Sequence, residues 1–213
     1  MKTIAIVPIK NKSVRVPRKN FKKIGKKTLY EITLEKLKKC NFDEVYVDTD
    51  SDEIKKYCEI HRINIINRIP SLSKNSANGN DLLNYHAEII DSDIYFQLFI
   101  TAPLLKVSTI NNCIRILKEN KKYDSILTSK SIYSWFWYKK SPVNYNPKIL
   151  PRSQDAEPIV QETTGLYGIR ANILKRNKCR IGNNPYFYEV SHDEIIDLDT
   201  KQDFKYLNLI LKK

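Results

Sequence analysis

Short apolar, β-branched runs alternate with helical patterns along most of this chain, and such alternation packs well only as a sheet covered by helices. The first run, Thr3 to Ile9 (TIAIVPI), reads as a parallel strand buried on both faces. A polar, basic loop, KNKSVRVPRKN, follows it, and Gly25 precedes a helical pattern from about Thr28 to Lys39. Val45 to Val47 reads as strand, and Asp50 is expected to cap a helix carrying Ile54, Tyr57 and Cys58, with capping-box spacing to Glu53. Ile63 to Ile66 is a third short strand. After a loop from Asn67 to Asn80 come a helix from Asp81 to about Ile90, a strand Ile94 to Ile100, a helix from Ser108 to about Glu119 and a strand Tyr123 to Thr128. The fold expected is α/β, a mostly parallel sheet with helices on both faces.

The alternation fails between Ser129 and Pro158, where Trp135, Phe136, Trp137 and Tyr138 precede Pro142, Pro147 and Pro151. Exposed aromatics on an extended segment suit a lid or a dimerisation arm, and contact between copies is the expectation. The sheet should resume near Thr163 to Ile169, followed by a helix from Asn172 to about Asn177 and a strand Phe187 to Val190. The extended EIIDLDT segment, Glu194 to Thr200, leads into a final amphipathic helix through Phe204, Leu207 and Leu211, with Thr200 and Asp203 at capping-box spacing.

Composition narrows the classes of function. A length of 213 residues suits one domain. The longest apolar run, near Ile94 to Leu105, is interrupted by Gln97 and Thr101 and is too short to span a membrane. With no separate signal segment ahead of the first strand, a soluble cytoplasmic protein is expected. The four cysteines and three histidines are too widely spaced to support a zinc cluster. The 37 Lys and Arg against 24 Asp and Glu give +13, which favours anionic partners and leaves both nucleic acid and a nucleoside triphosphate open.

In a parallel sheet the ligand crevice lies beyond the carboxyl ends of the strands, where the loop after the first strand projects. That loop holds Lys10, Lys12, Arg15, Arg18 and Lys19 with Asn11, Ser13 and Asn20, and this position favours polyphosphate binding over a solvated turn. Neither GxxxxGK[ST] nor GxGxxG occurs. In the DLDT segment, residues two apart on extended chain face one way, so Asp197 and Asp199 suit a hard cation such as Mg2+; helix capping and a surface carboxylate are the alternative. His192 has no evident serine or cysteine partner and reads as a polar surface or ligand-contacting residue, and His61 and His86 read as structural.

The stretches IAIVPIKNKSVRVPRKNFKKIGKKTL, VYVDTDSDEI, NRIPSLSKNSANGNDLL, FITAPL, ETTGLYGI and DEIIDLDTKQDF stand in the order found in acylneuraminate cytidylyltransferases, the CMP-sialic acid synthetases, whose relatives activate Kdo, pseudaminic and legionaminic acids. The chain resembles that family over nearly its whole length. The resemblance implies a single nucleotidyltransferase domain over 1–213, with the three-layer, Rossmann-like nucleotide-diphospho-sugar transferase fold. It also implies a protruding arm over 129–162 that completes the sugar pocket of a partner copy in a homodimer. The activity implied is Mg2+-dependent attack of a 2-keto-3-deoxy sugar acid on the α-phosphorus of CTP, giving a CMP-sugar and pyrophosphate, with no nucleic-acid or membrane partner.

Carried over residue by residue, Lys19, Asn20 and Ser13 match the motif residues near the triphosphate, and Arg68 matches the arginine of a nucleotide-side loop. Asp197 and Asp199 match the metal-binding pair, Arg152 and Gln154 resemble the basic and polar residues of the arm, and Tyr167 resembles the aromatic near the sugar. Lys10 stands where arginine is usual, a point charge in place of a bidentate fork; with Asn11 it belongs to the expected nucleotide site, and with Lys19 and Asp199 to the expected catalytic set. Phe99 stands where many members have glutamine, making the sugar side more apolar, and no acidic residue occurs near Asn75. A related transferase using GTP or a sugar phosphate is one alternative, and a non-catalytic nucleic-acid-binding protein is another.

Overall fold

The computed structural model describes residues 1–13 and 15–210. Its main sheet contains β1 (Thr3–Ile9), β2 (Glu44–Thr49), β3 (Asn64–Asn67), β4 (Ile94–Leu98), β5 (Ser125–Ile132), β6 (Ile159–Arg170) and β7 (Pro185–Glu189), ordered β7-β5-β6-β4-β1-β2-β3. β1 pairs in parallel with β2 and with β4, β2 with β3, and β7 with β5. β6 runs antiparallel to both of its neighbours, β4 and β5, so the sheet is mixed but mostly parallel.

Among the described residues six α-helices cover it: α1 (Leu29–Leu37), α2 (Asp52–His61), α3 (Gly79–Ile89), α4 (Val107–Glu119), α5 (Ala171–Asn177) and α6 (Lys201–Ile210). Side chains alternate along β1. Ala5, Val7 and Ile9 join one core cluster with Leu34 of α1, Ile54 of α2, Ile110 of α4 and Leu207 of α6. Ile4 and Ile6 join the opposite cluster with Leu83 of α3 and Leu174 of α5. The β1 run is therefore apolar throughout because helices lie on both sides of it. Leu211, expected on the last helix, lies outside the described residues.

Local capping fixes where these helices start. Thr28 and Glu31 form a reciprocal capping box at α1, and Asn78 and Asp81 form one at α3, which begins two residues before the expected Asp81. Thr200 and Asp203 form the third, as their spacing indicates. At α2 the cap is Ser51, whose hydroxyl accepts from Ile54 N; Asp50 is drawn away because its carboxylate accepts from Asn11 N at 2.6 Å and from the Ser73 hydroxyl at 3.3 Å. The residue expected to cap a helix instead anchors the basic loop.

β5 and β6 stay paired out to Ile132 and Ile159, so the segment that leaves the sheet is 133–158. Within it Trp137–Tyr138 pairs with Ser141–Pro142, and one side chain ties the ends together: Asn144 Nδ2 donates to Ser134 O and Glu157 O, while its Oδ1 accepts from Phe136 N. Trp137, Tyr138, Ile149 and Leu150 are more than half exposed on this projection.

Candidate active site

The loop after β1 is pinned before it reaches solvent. Val16, 1% exposed, plugs into the core, and the turn Lys19–Phe21 buries Lys19 and Asn20 beneath it. Asn20 Nδ2 donates to Lys10 O at 2.6 Å, which ties the two ends of the loop together. Lys10 Nζ donates to Asn75 Oδ1 at 3.0 Å, on the far wall. The result is a cleft of ≈ 490 Å³ with Lys10, Lys12, Ser13, Arg15, Lys19 and Asn20 on one side and Asn75, Phe99 and Thr101 on the other.

The DLDT segment closes this cleft. Leu198 is fully buried and its N donates to Thr101 O at 2.9 Å. That bond presents Asp199 to the loop, where one carboxylate oxygen accepts from Lys19 Nζ at 3.1 Å and the other from Arg15 Nη1. Asp199 thus engages Lys19 and Arg15, while Lys10 and Lys12 face the cleft without a carboxylate of their own among the described residues. An excess of cations around a concave space is what a polyphosphate requires. The carboxyl of Asp203 is held below the usual range: burial acts against this, but the backbone N–H groups of Thr200 and Asp199 prevail.

Asp197 and Asp199 do not share partners. The segment that carries them is not a strand, and Asp197 turns to a neighbouring hollow beside α6. Its Oδ2 accepts from Thr164 Oγ1 at 2.6 Å, while Oδ1 is buried with no hydrogen-bond partner. Thr164 reaches it because β6 bulges between Glu162 and Tyr167, and Thr164 adopts φ 55°, a left-handed conformation that costs a β-branched residue about 1–3 kcal/mol. The orphaned Asp197 Oδ1 is a hard oxygen donor of the kind Mg2+ takes, but it opens to a different hollow from Asp199, so the sequence expectation of two carboxylates facing one way is not met in this arrangement.

The other expected residues separate into two groups. Phe99 lines the cleft, and Tyr167 packs edge-on to it with ring centroids 6.3 Å apart. The Tyr167 phenol donates to Glu162 Oε2 at 2.6 Å, and burial, reinforced by that carboxylate, pushes its pKa up. Arg68, by contrast, is turned inward: its guanidinium is bidentate to the buried carboxylate of Asp48, and the buried His86 Nε2 lies 3.1 Å from the same group. Burial alone would raise the Asp48 carboxyl, but His86 and Arg68 hold it below the usual range. Arg152 and Gln154 sit exposed on the projecting segment, Arg152 paired with its neighbour Asp155, and Asn11 meets Asp50 through its backbone; neither these three nor Arg68 line the cleft. Thr164, Asn75 and the Arg15 contact to Asp199 come only from the folded chain, since each joins elements far apart in sequence. The TTG triplet before Leu166 was the one visible sign of a bulge.

Known proteins share this architecture. A family model described as Cytidylyltransferase matches residues 4–210. The N-acylneuraminate cytidylyltransferase of Streptococcus agalactiae serotype V is 24% identical over 96% of this chain and 52% of its own length. The 3-deoxy-manno-octulosonate cytidylyltransferase of Fusobacterium nucleatum is 32% identical over 57% of this chain and 48% of its own length. The chain spans about half the length of these curated relatives. Among solved structures, a CMP:2-keto-3-deoxy-manno-octonic acid synthetase complexed with CTP superposes with TM-score 0.78 at 16% identity, covering 100% of this chain and 99% of that one. A 4-diphosphocytidyl-2C-methyl-D-erythritol synthase from Anaerococcus prevotii superposes at 0.69 with 13% identity, covering 100% and 97%.

Proposed function

Because this chain belongs to the cytidylyltransferase family, we propose that it transfers the cytidylyl group of CTP to a 2-keto-3-deoxy sugar acid, releasing pyrophosphate. The observation that carries this reading is the cationic cleft at the end of β1, closed by the Lys19–Asp199 ion pair. Lys10, Lys12, Ser13 and Asn20 bind the triphosphate there. The sugar hydroxyl oxygen bonds to the α-phosphorus, the bond from that phosphorus to the bridging oxygen breaks with its electron pair leaving on pyrophosphate, and the hydroxyl proton passes to water. Lys19 stands where charge accumulates on the phosphoryl oxygens and on the departing pyrophosphate, and its burial strengthens that interaction. Mg2+ held by Asp197 and Asp199 would supply charge neutralisation at the phosphates, and holding it between them requires the two carboxylates to turn toward one site. Phe99 and Tyr167 form the sugar side, and the exposed arm joins two copies as a homodimer that carries Arg152 and Gln154 toward the neighbouring site.

The test is incubation of purified protein with Mg2+, each of the four nucleoside triphosphates and a panel of 2-keto-3-deoxy sugar acids, reading pyrophosphate and product mass. A CMP-sugar is the expected product. Release with GTP alone would move the base specificity, and steeply salt-dependent oligonucleotide binding without any pyrophosphate release would overturn the enzyme reading.

A further inference from the structure

The half-buried arginines of this fold are saturated by the protein, with one exception. Arg68 fills its fork with Asp48, and Arg170 donates to the carbonyls of Tyr123, Leu117 and Asn120. Arg180, on the connection between α5 and β7, makes one side-chain hydrogen bond, from Nη1 to Gln97 Oε1 at 3.2 Å, and meets no carboxylate among the described residues. It is nevertheless fixed in place. Gln97 is fully buried and donates its own Nε2 to Gly79 O at 3.0 Å, which sets its amide with the oxygen toward Arg180. The guanidinium carbon stands 3.6 Å above the Tyr167 ring centroid and 5.7 Å from that of Phe99, which lines the cleft, while Arg180 N donates to Asn80 Oδ1 at 2.9 Å. A planar cation stacked on one face, held at one nitrogen and left with free N–H groups is preorganised for a planar anion.

Resting on the cytidylyltransferase reading, we propose that Arg180 recognises the carboxylate of the sugar acid and so selects acidic sugars as acceptors. The triphosphate has its cations in the loop after β1, whereas Arg180 stands against Tyr167 and 5.7 Å from the ring centroid of Phe99, the aromatic that lines the facing wall of the cleft. The carboxylate is the one group on such a sugar that is anionic at neutral pH, and its two oxygens match the spacing of a guanidinium edge. Sequence reasoning passes over Arg180 because NKCRIGNN carries no periodicity and no motif.

The experiment compares wild type, Arg180→Gln and Arg180→Lys with Kdo or N-acetylneuraminate, whichever turns over faster, and with its C1 carboxamide. Arg180→Gln should raise KM for the acid by about 10–100-fold, leave KM for CTP within about twofold and bring the acid-over-amide preference near unity. Arg180→Lys, which keeps the charge without the fork, should fall between the two. Gly79→Ala supplies an independent variant, since its methyl would collide with Arg180 Nη1 and come within 3.1 Å of Gln97 Oε1, displacing the guanidinium without removing it. The same loss on the acid side is expected there even if Arg180→Gln fails to fold. Persistence of the acid preference in either folded variant, or parallel movement of KM for CTP, overturns the assignment of Arg180. A wild type that forms no CMP-sugar with any acid overturns the function reading itself, and with it the role of Arg180.

Discussion

At Lys19 an ammonium is held almost out of water, opposite a carboxylate 180 positions away in the chain. Such a group is costly to bury unless paired, and Asp199 supplies the pair. Arg15 binds the other oxygen of Asp199, so removing Lys19 leaves the carboxylate with a partner and the loop with its Val16 anchor. Lys19→Ala is therefore expected to lower kcat for pyrophosphate release by about 10²–10³-fold while the melting temperature stays near that of wild type. A coupled assay beside a thermal scan checks both; near-normal turnover would remove Lys19 from the chemistry. At this scale much of the cleft was legible, because Lys10, Ser13, Lys19 and Asn20 lie in one short loop whose position follows from the strand before it. Arg68 was not legible in the same way. The spacing of 20 residues that brings it onto Asp48 depends on the pairing of β2 with β3, and a sequence does not display which cation a buried carboxylate will capture.

Among the elements, the projection 133–158 gathers the largest group of bulky apolar side chains left exposed among the described residues. Asn144 shapes it through three hydrogen bonds, yet Ile149 is 75% and Trp137 56% exposed. In the homodimer proposed above these side chains meet a second copy. Ile149→Asp combined with Trp137→Asp should shift sedimentation to the monomer at micromolar concentration and raise KM for the sugar acid more than for CTP, with little change in melting temperature. A wild type that already sediments as a monomer would refute the interface. The break in alternation announced this element, but its limits were harder to read: β5 and β6 remain paired beyond the expected departure at Ser129, because Ser129–Ile132 are polar or β-branched and look the same in a strand as in a loop. The start of α2 slipped by one residue for a related reason, since Asp50 and Ser51 both cap well and only the distant Asn11 amide decides between them.

For the molecule as a whole, two apolar faces on one sheet could be read from the strands alone, and the antiparallel β6 could not, because strand direction is set by a connection through the arm rather than by pattern. Stability carries a further signature of how the layers are tied. Lys36 on α1 donates to Pro103 O at 2.6 Å, just beyond β4, and burial pushes its ammonium down from 10.5 to about 8. Between these values the unfolded chain binds more protons than the folded one, so this group makes the fold more stable as pH rises from about 8 to about 10.5. Urea midpoints at pH 7, 9 and 10.5 for wild type and Lys36→Met should show the difference moving in favour of wild type as pH rises; a constant difference would contradict the burial of that amine.

The contact between Lys19 and Asp199 also orders events during synthesis. A ribosome working at about 5–20 residues per second needs about 9–36 s to add the 180 residues that separate them. Throughout that interval β1 and its basic loop exist without the carboxylate that closes the cleft, whatever else has already folded. Nascent chains arrested before Asp199 would carry most of the sheet and still lack a finished nucleotide site, so ligand binding would wait until Asp199 has been added and has met Lys19.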